Sequence, residues 1–173
     1  MEMHITTGNI TEVRYRPGPV SIEGSILYHG ECTFKESFAG LTKLKSVDLT
    51  GVTFTGESLS EMFQDCWNLE YVKFPMLGFG WNSEDVSAMF ENCHKLKAIE
   101  GVKPWENAVN LEDMFRGCGY PGEIIVNAPH GEYLTGAFQY CSAKRIELTC
   151  SYKAELVGIV EGCEADEIVI KRV

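Results

Sequence analysis

Seven cysteines and four histidines are the residues of this chain best suited to covalent or metal chemistry. Cysteine and histidine side chains bind zinc at short, regular spacings, and a cysteine beside a base can act as a nucleophile. Only Cys32 and Cys150 fall outside a repeated phrase, and Leu41 occupies the cysteine position in its first copy. Leucine can neither bridge sulfur nor bind a metal, so we interpret this position as a small, buried packing site for free thiols. Its cysteines are Cys66, Cys93, Cys118, Cys141 and Cys163.

The remaining sequence offers no motif that predicts catalysis. It contains neither a Gly-x-Ser-x-Gly nucleophile elbow nor a Gly-x4-Gly-Lys-Ser/Thr phosphate loop. Cys93 and His94 are adjacent, which is not the spacing of metal ligands. We therefore predict a protein that is not an enzyme and that uses no cofactor and no metal.

The cysteine position belongs to a unit that recurs six times, and its fullest form is Met-Phe-x-x-Cys. Successive anchor residues are 25, 27, 25, 23 and 22 positions apart. A period of roughly 20–30 residues is typical of a solenoid, in which each unit buries its apolar face against its neighbours. The anchor residues are Phe38, Phe63, Phe90, Phe115, Phe138 and Val160.

Each unit is predicted to begin with a short helix. Leu59, Met62, Phe63 and Cys66 fall at i, i+3, i+4 and i+7, which is the apolar stripe of an amphipathic helix. The residue before the cysteine position is in most units a type that tolerates a left-handed helix end, and Tyr140 is the exception. These residues are Gly40, Asp65, Asn92, Gly117, Tyr140 and Gly162.

A short strand is predicted to follow each helix, because Leu69, Val72 and Phe74 and their counterparts alternate with polar residues. We predict an α/β solenoid. In it, six helix–strand repeats in residues 33–173 stack into a narrow parallel sheet, and residues 1–32 form a β-rich N-terminal cap. The outward strand positions should form two columns, one containing Tyr71 and Arg145 and the other containing Lys73 and Ile125.

The stretch from Leu59 to Phe74 reads Leu-x-x-Met-Phe-x-x-Cys-x-x-Leu-x-x-Val-x-Phe. It resembles the repeats of bacterial surface proteins of the BspA-type leucine-rich-repeat group, above all the branch with a Met-Phe-x-x-Cys core. The stretch from Trp105 to Cys118 is similar to the same branch. The resemblance covers roughly residues 33–170. It implies a leucine-rich-repeat-like solenoid with protein-binding or adhesive roles and without catalytic residues.

The net charge of −10 and the pI of about 4.9 argue against direct binding to nucleic acid or to an anionic membrane. No apolar run approaches the roughly 18 residues of a membrane span, and the first residues do not resemble a secretory signal. We therefore expect a cytoplasmic, noncatalytic protein–protein interaction module. One alternative is a small acidic inhibitor, for example a phage-encoded anti-defence protein, that blocks a nucleic-acid-handling enzyme. A second alternative is a surface or virion adhesin, as the resemblance implies.

The candidate partner-binding residues fall into three groups, on the sheet face, on a glycine-flanked loop and near the predicted helices. Aromatic residues dominate binding hot spots, whereas charged runs are often only solvated faces, and the loop aromatics could instead be packed inward. The sheet-face candidates are Tyr71, Lys73, Ile125 and Arg145, the loop candidates are Phe79 and Trp81, and the acidic candidates are Glu61, Glu91 and Asp113.

The last predicted strand, Ile168–Val173, leaves two hypotheses open. Lys171 and Arg172 could protect an exposed sheet edge from pairing with other chains. Alternatively, this strand pairs with a second copy of the chain and forms a homodimer, since most soluble oligomers are symmetric homo-oligomers.

Overall fold

The computed structural model describes residues 34–49, 58–75, 83–101, 103 and 105–173, together with the backbone of residues 12–14. This part of the chain forms a parallel β-solenoid of about five turns, so the predicted solenoid is confirmed. We call one turn of the solenoid a coil. The strands are β1 (Glu12–Arg14), β2 (Ser46–Asp48), β3 (Tyr71–Lys73), β4 (Ala98–Glu100), β5 (Gly119–Asn127), β6 (Ser142–Cys150) and β7 (Glu164–Arg172).

The strands form two parallel sheets, one ordered β1-β2-β3-β4 and the other β5-β6-β7. Strand β1 lies within the predicted cap and pairs in parallel with β2, so the sheet begins before residue 33. The rest of the predicted cap lies outside the described residues. Both outward columns have the predicted register within each sheet. Tyr71 and Arg145 pair with Ala98 and Glu167 in one column, and Lys73 and Glu147 pair with Glu100 and Val169 in the other.

The predicted helices are absent from the described residues, where each Met-Phe-x-x-Cys unit is a run of turns that we call a turn segment. Alternate N–H groups of a turn segment bond in different directions. The Phe63 N–H donates to the Met89 carbonyl in the next coil at 3.0 Å, whereas the Cys66 N–H donates to the Phe63 carbonyl at 3.1 Å. An α-helix would instead bond every N–H to the carbonyl four residues earlier. The turn segments therefore join neighbouring coils through hydrogen bonds of their own, outside the strands.

Each turn segment contains two left-handed residues, four positions apart. The predicted left-handed residue before the cysteine position is confirmed in the five units whose residue type favours it. Tyr140, the exception in the sequence, is left-handed as well, with a φ of 55°. The earlier left-handed position was not predicted. A left-handed residue cannot continue an α-helix, which explains why the apolar stripe does not form one. The earlier positions are Glu36, Glu61, Ala88, Asp113, Gly136 and Gly158.

The core consists of columns of equivalent side chains that run along the solenoid. Five phenylalanine rings stack with centroids 5.3–5.8 Å apart, from Phe38 to Phe138. The cysteine column runs beside them, and all six described cysteines are free thiols. The predicted packing role is confirmed by the burial of Cys66, Cys93, Cys118 and Cys141, whereas Cys163 in the last coil is half-buried. The Cys93 Sγ also donates a hydrogen bond to the Phe63 carbonyl at 3.2 Å.

Candidate interaction surfaces

An apolar cavity of about 180 Å³ lies at the seam where β4 and β5 belong to different sheets. The rings of Trp105 and Phe115, both buried core residues, line it and meet edge to face with centroids 6.1 Å apart. Ile99 of β4 and Ile125 of β5 line it as well. Ile125 is 52% exposed, so this candidate residue joins the cavity to the outward sheet face. We call this the seam cavity.

Lys103 brings a positive charge to the seam cavity. Its Nζ donates a hydrogen bond to the Ile99 carbonyl and lies 6.0 Å from the centroid of the Trp105 ring. Burial lowers the pKa of Lys103, although the nearby Glu100 carboxylate acts in the opposite direction. The sequence analysis did not predict Lys103 or Trp105 as site residues. The signal that could have identified them is their position between β4 and the next turn segment.

The outward face of β5–β7 carries an ion-pair network around Arg145. Its guanidinium lies 2.7 Å from Glu167, 2.8 Å from Glu147 and 3.9 Å from Glu123. The hydrogen bond to Glu167 raises the pKa of Arg145, and the hydrogen bond from Lys171 lowers the pKa of Glu147. The charge of this candidate residue is therefore compensated by carboxylates of its own sheet.

The other two sheet-face candidates, Tyr71 and Lys73, lie on β3 and are half-buried. A hydrogen bond with Glu100 raises the pKa of Tyr71 to about 12. Lys73 is aligned with the same Glu100 in the parallel register. Because β3 and β5–β6 belong to different sheets, the four sheet-face candidates form two separate pairs, Tyr71 with Lys73 and Ile125 with Arg145.

The three acidic candidates lie on turn segments, where the helices were predicted, and each is half-buried. Glu91 accepts a hydrogen bond from Gln64 Nε2 at 2.6 Å, and the Asp113 carboxylate lies 3.6 Å from the Arg116 guanidinium. Across all six turn segments, Lys35 and Arg116 are the only basic residues. The outer surface of the turn segments, which we call the turn face, is therefore acidic. The three candidates are Glu61, Glu91 and Asp113.

A wider groove of about 1040 Å³ crosses four coils beside the turn face. Tyr152 and Val173, which are 68% and 60% exposed, line it together with Glu132 and Lys153. The Lys153 amine lies 3.6 Å from the Glu132 carboxylate. Glu132, the adjacent pair Tyr152 and Lys153, and Val173 are far apart in the sequence, and the sequence analysis did not bring them together.

Phe79 and Trp81 lie outside the described residues, so their role as loop anchors stays a prediction. Within the described residues, no group of three or more His, Cys, Asp or Glu side chains could hold a metal ion. The same part of the chain contains no helix that could cross a membrane. No family model, curated protein or solved structure matches this chain. The resemblance to BspA-type repeats therefore also stays a prediction.

Proposed function

We propose that this protein is a noncatalytic interaction module that binds another protein on the outward face of β5–β7. One observation carries the proposal: the seam cavity reaches the buried rings of Trp105 and Phe115 and is continuous with the exposed Ile125. Its volume suits one large apolar side chain of a partner. Binding energy in protein interfaces concentrates where such an anchor fills a desolvated pocket.

The surroundings of the seam cavity support a polar rim for this interface. Glu123 lines the cavity and lies 3.9 Å from Arg145, so the ion-pair network begins at the cavity itself. Lys103 offers further donor capacity, since an ammonium group has three N–H donors. Charges around an apolar anchor direct the orientation and choice of partner more than they add affinity. We therefore expect the partner to place an apolar residue in the cavity and a carboxylate near Lys103.

Site-specific photocrosslinking in cells of the source organism tests this proposal. A photoreactive amino acid is placed at Ile125 and, as a control, at the exposed Thr135 of a turn segment. A partner that crosslinks from position 125 and not from 135 is then purified. We expect Ile125→Asp to weaken its binding by about tenfold or more and Thr135→Asp to leave it unchanged. Equal affinity of both variants for this partner would contradict the proposal.

The acidic turn face favours a second candidate function, namely inhibition of a nucleic-acid-handling enzyme by occupying its basic surface. A negatively charged surface of this kind can compete for a site that binds phosphates. The candidate is tested with purified nucleases acting on DNA. The variant E61Q/E91Q/D113N should lose inhibition, whereas E106Q/E123Q/E164Q, with the same change in charge outside the turn face, should keep it. Equal inhibition by both variants would exclude this role for the turn face.

A further inference from the structure

The last coil leaves its apolar interior open to solvent on the strand side. Ile168 and Ile170 of β7 are aligned with Ile146 and Leu148 of β6. The β6 residues have 0% exposure, whereas Ile168 and Ile170 are 38% and 36% exposed. In the middle of the solenoid, a coil on either side covers these columns, whereas among the described residues β7 has a neighbouring strand, β6, on one side only.

The turn side of the same coil is open as well. The phenylalanine column continues to Val160 and the cysteine column to Cys163, and both residues are only half-buried. Their equivalents in the preceding coil, Phe138 and Cys141, are buried. The end of the solenoid is therefore an apolar surface bordered by the free edge of a nine-residue strand. Such surfaces mark interaction sites, and a free strand edge is a template for pairing with another chain.

The charge pattern of β7 complements itself when two copies run antiparallel. The strand is acidic in its first half, apolar around Val169 and basic at its end. With Val169 on a twofold axis, Glu167 of one copy faces Lys171 of the other, and Ile168 faces Ile170. Residues that face each other across an antiparallel pair project to the same side of the sheet. Glu167 and Lys171 are 60% and 54% exposed and can be reached by a second chain.

We propose that a second copy of this chain covers the open end, with the two β7 strands paired antiparallel about a twofold axis at Val169. The two sheets then continue into each other, and Ile168 and Ile170 enter one shared core. A second copy is favoured because this self-pairing places Glu167 opposite Lys171 and Asp166 opposite Arg172, and the twofold axis makes each pair twice. The interface uses a surface different from the seam cavity and goes beyond the proposed function.

Existing ion pairs within the chain are compatible with this arrangement. Glu167 pairs with Arg145 and Lys171 pairs with Glu147, both on the neighbouring strand β6. A Lys171 from the second copy would extend this network across the axis. Lys171 and Arg172 would repel a second copy only in a register that places basic residues opposite each other. In the twofold register, Lys171 faces Glu167 and Arg172 faces Asp166 instead.

The oligomeric state in solution tests the proposal. Sedimentation and light scattering should give a mass twice the 19.3 kDa of one chain at high concentration, with dissociation on dilution. Lys171→Glu places two like-charged pairs across the axis and should raise the dissociation constant by about tenfold or more. Lys95→Glu makes the same change in charge on an exposed residue outside β7 and should leave dimerisation unchanged.

A mixing experiment separates the interface from effects within one chain. Glu167→Lys and Lys171→Glu should each dimerise poorly alone but form a heterodimer when mixed in equal amounts, because the changed residues then face each other with opposite charges. The lost contacts to Arg145 and Glu147 stay lost when the two variants are mixed, so only the contact across the axis differs between the mixture and its components. A wild-type protein that stays monomeric at every concentration, or a mixture that associates no better than its components, would overturn the proposal.

Alkylation of the wild-type chain provides a check that requires no variant. Cys163 is half-buried at the open end and would be covered in the dimer. Its alkylation rate should therefore fall as the protein concentration rises through the dissociation constant. A rate independent of concentration would contradict burial of the last coil by a second copy.

Discussion

The thiol at the repeated cysteine position both fills space and donates a hydrogen bond. Cys66 Sγ donates to the Phe38 carbonyl at 3.0 Å, so the position links neighbouring coils as well as packing between them. The sequence predicted the packing role, because Leu41 occupies the same position. It could not predict the hydrogen bond, since that bond depends on a carbonyl of another coil.

Burial should make the thiol column unreactive in the folded protein. Burial raises the pKa of Cys66 and Cys141 to about 12, and alkylation requires the thiolate. At pH 8 we expect iodoacetamide to modify Cys163 before Cys66, Cys93, Cys118 or Cys141, as measured by peptide mass spectrometry. In denaturant all five should react at similar rates. Rapid modification of Cys93 in the folded protein would show that the column is accessible.

The same pKa shift predicts that stability falls at alkaline pH. Between about pH 9 and pH 12 the unfolded chain loses its Cys66 proton while the folded chain keeps it, so the unfolded state binds fewer protons. The contribution to the free energy of unfolding is complete below about pH 9 and decreases above it. Urea denaturation at several pH values should show this decrease. Cys66→Ala should show a smaller decrease, and identical pH profiles would contradict the assignment.

Turn segments are the elements whose backbone the sequence predicted least well. The left-handed residue before the cysteine position could be predicted, because Gly40, Asn92 and Gly117 are types that adopt this conformation. The earlier position carries Glu61 and Ala88, which gave no such signal, and a helix was predicted instead. The apolar stripe alone could not distinguish an α-helix from a turn segment, since both backbones place the same residues inside.

Two glycines provide a matched test of turn-segment geometry. Gly40 and Gly136 have φ values of 72° and 67°. A Cβ on Gly40 would meet no atom within 4 Å, whereas a Cβ on Gly136 would lie 2.1 Å from Asp113 Oδ1. We expect Gly40→Ala to cost about 1–2 kcal/mol from the left-handed backbone alone. Gly136→Ala should cost up to about 1 kcal/mol more, because the Asp113 carboxylate must turn away and weaken its ion pair with Arg116. Equal costs in urea denaturation would contradict the close approach.

Strand register could be predicted within each sheet but not between the sheets. Alternation fixed which residues of β2–β4 and of β5–β7 face inward, because a shift by one residue would exchange the two faces. The seam cavity could not be predicted, since Ile99, Trp105, Phe115 and Ile125 come from different units. It lies where β4 ends one sheet and β5 begins the other.

Stability of the whole molecule should depend most on the stacked phenylalanine column. Phe90 lies in its middle, with rings 5.4 Å and 5.3 Å away on either side, and it is fully buried. We expect Phe90→Ala to lower the free energy of unfolding by about 3–5 kcal/mol, because it leaves a cavity between two coils. Trp67→Ala, at a 51% exposed aromatic residue, should change it by less than about 1 kcal/mol. Similar losses of unfolding free energy in Phe90→Ala and Trp67→Ala would contradict this role of the phenylalanine column in stability.

At the seam, the hydrogen bonding between coils continues in the turn segments but is interrupted between the strands. On the turn side, the Phe90 N–H still donates to the Met114 carbonyl at 2.9 Å across the boundary. On the strand side, β4 and β5 belong to separate sheets. The solenoid is therefore continuous through its turn segments and divided between its two sheets, which meet at the seam cavity. Amide hydrogen exchange should be slow in the turn segments and faster at the facing edges of β4 and β5. A partner's side chain can then enter the cavity without unfolding either sheet.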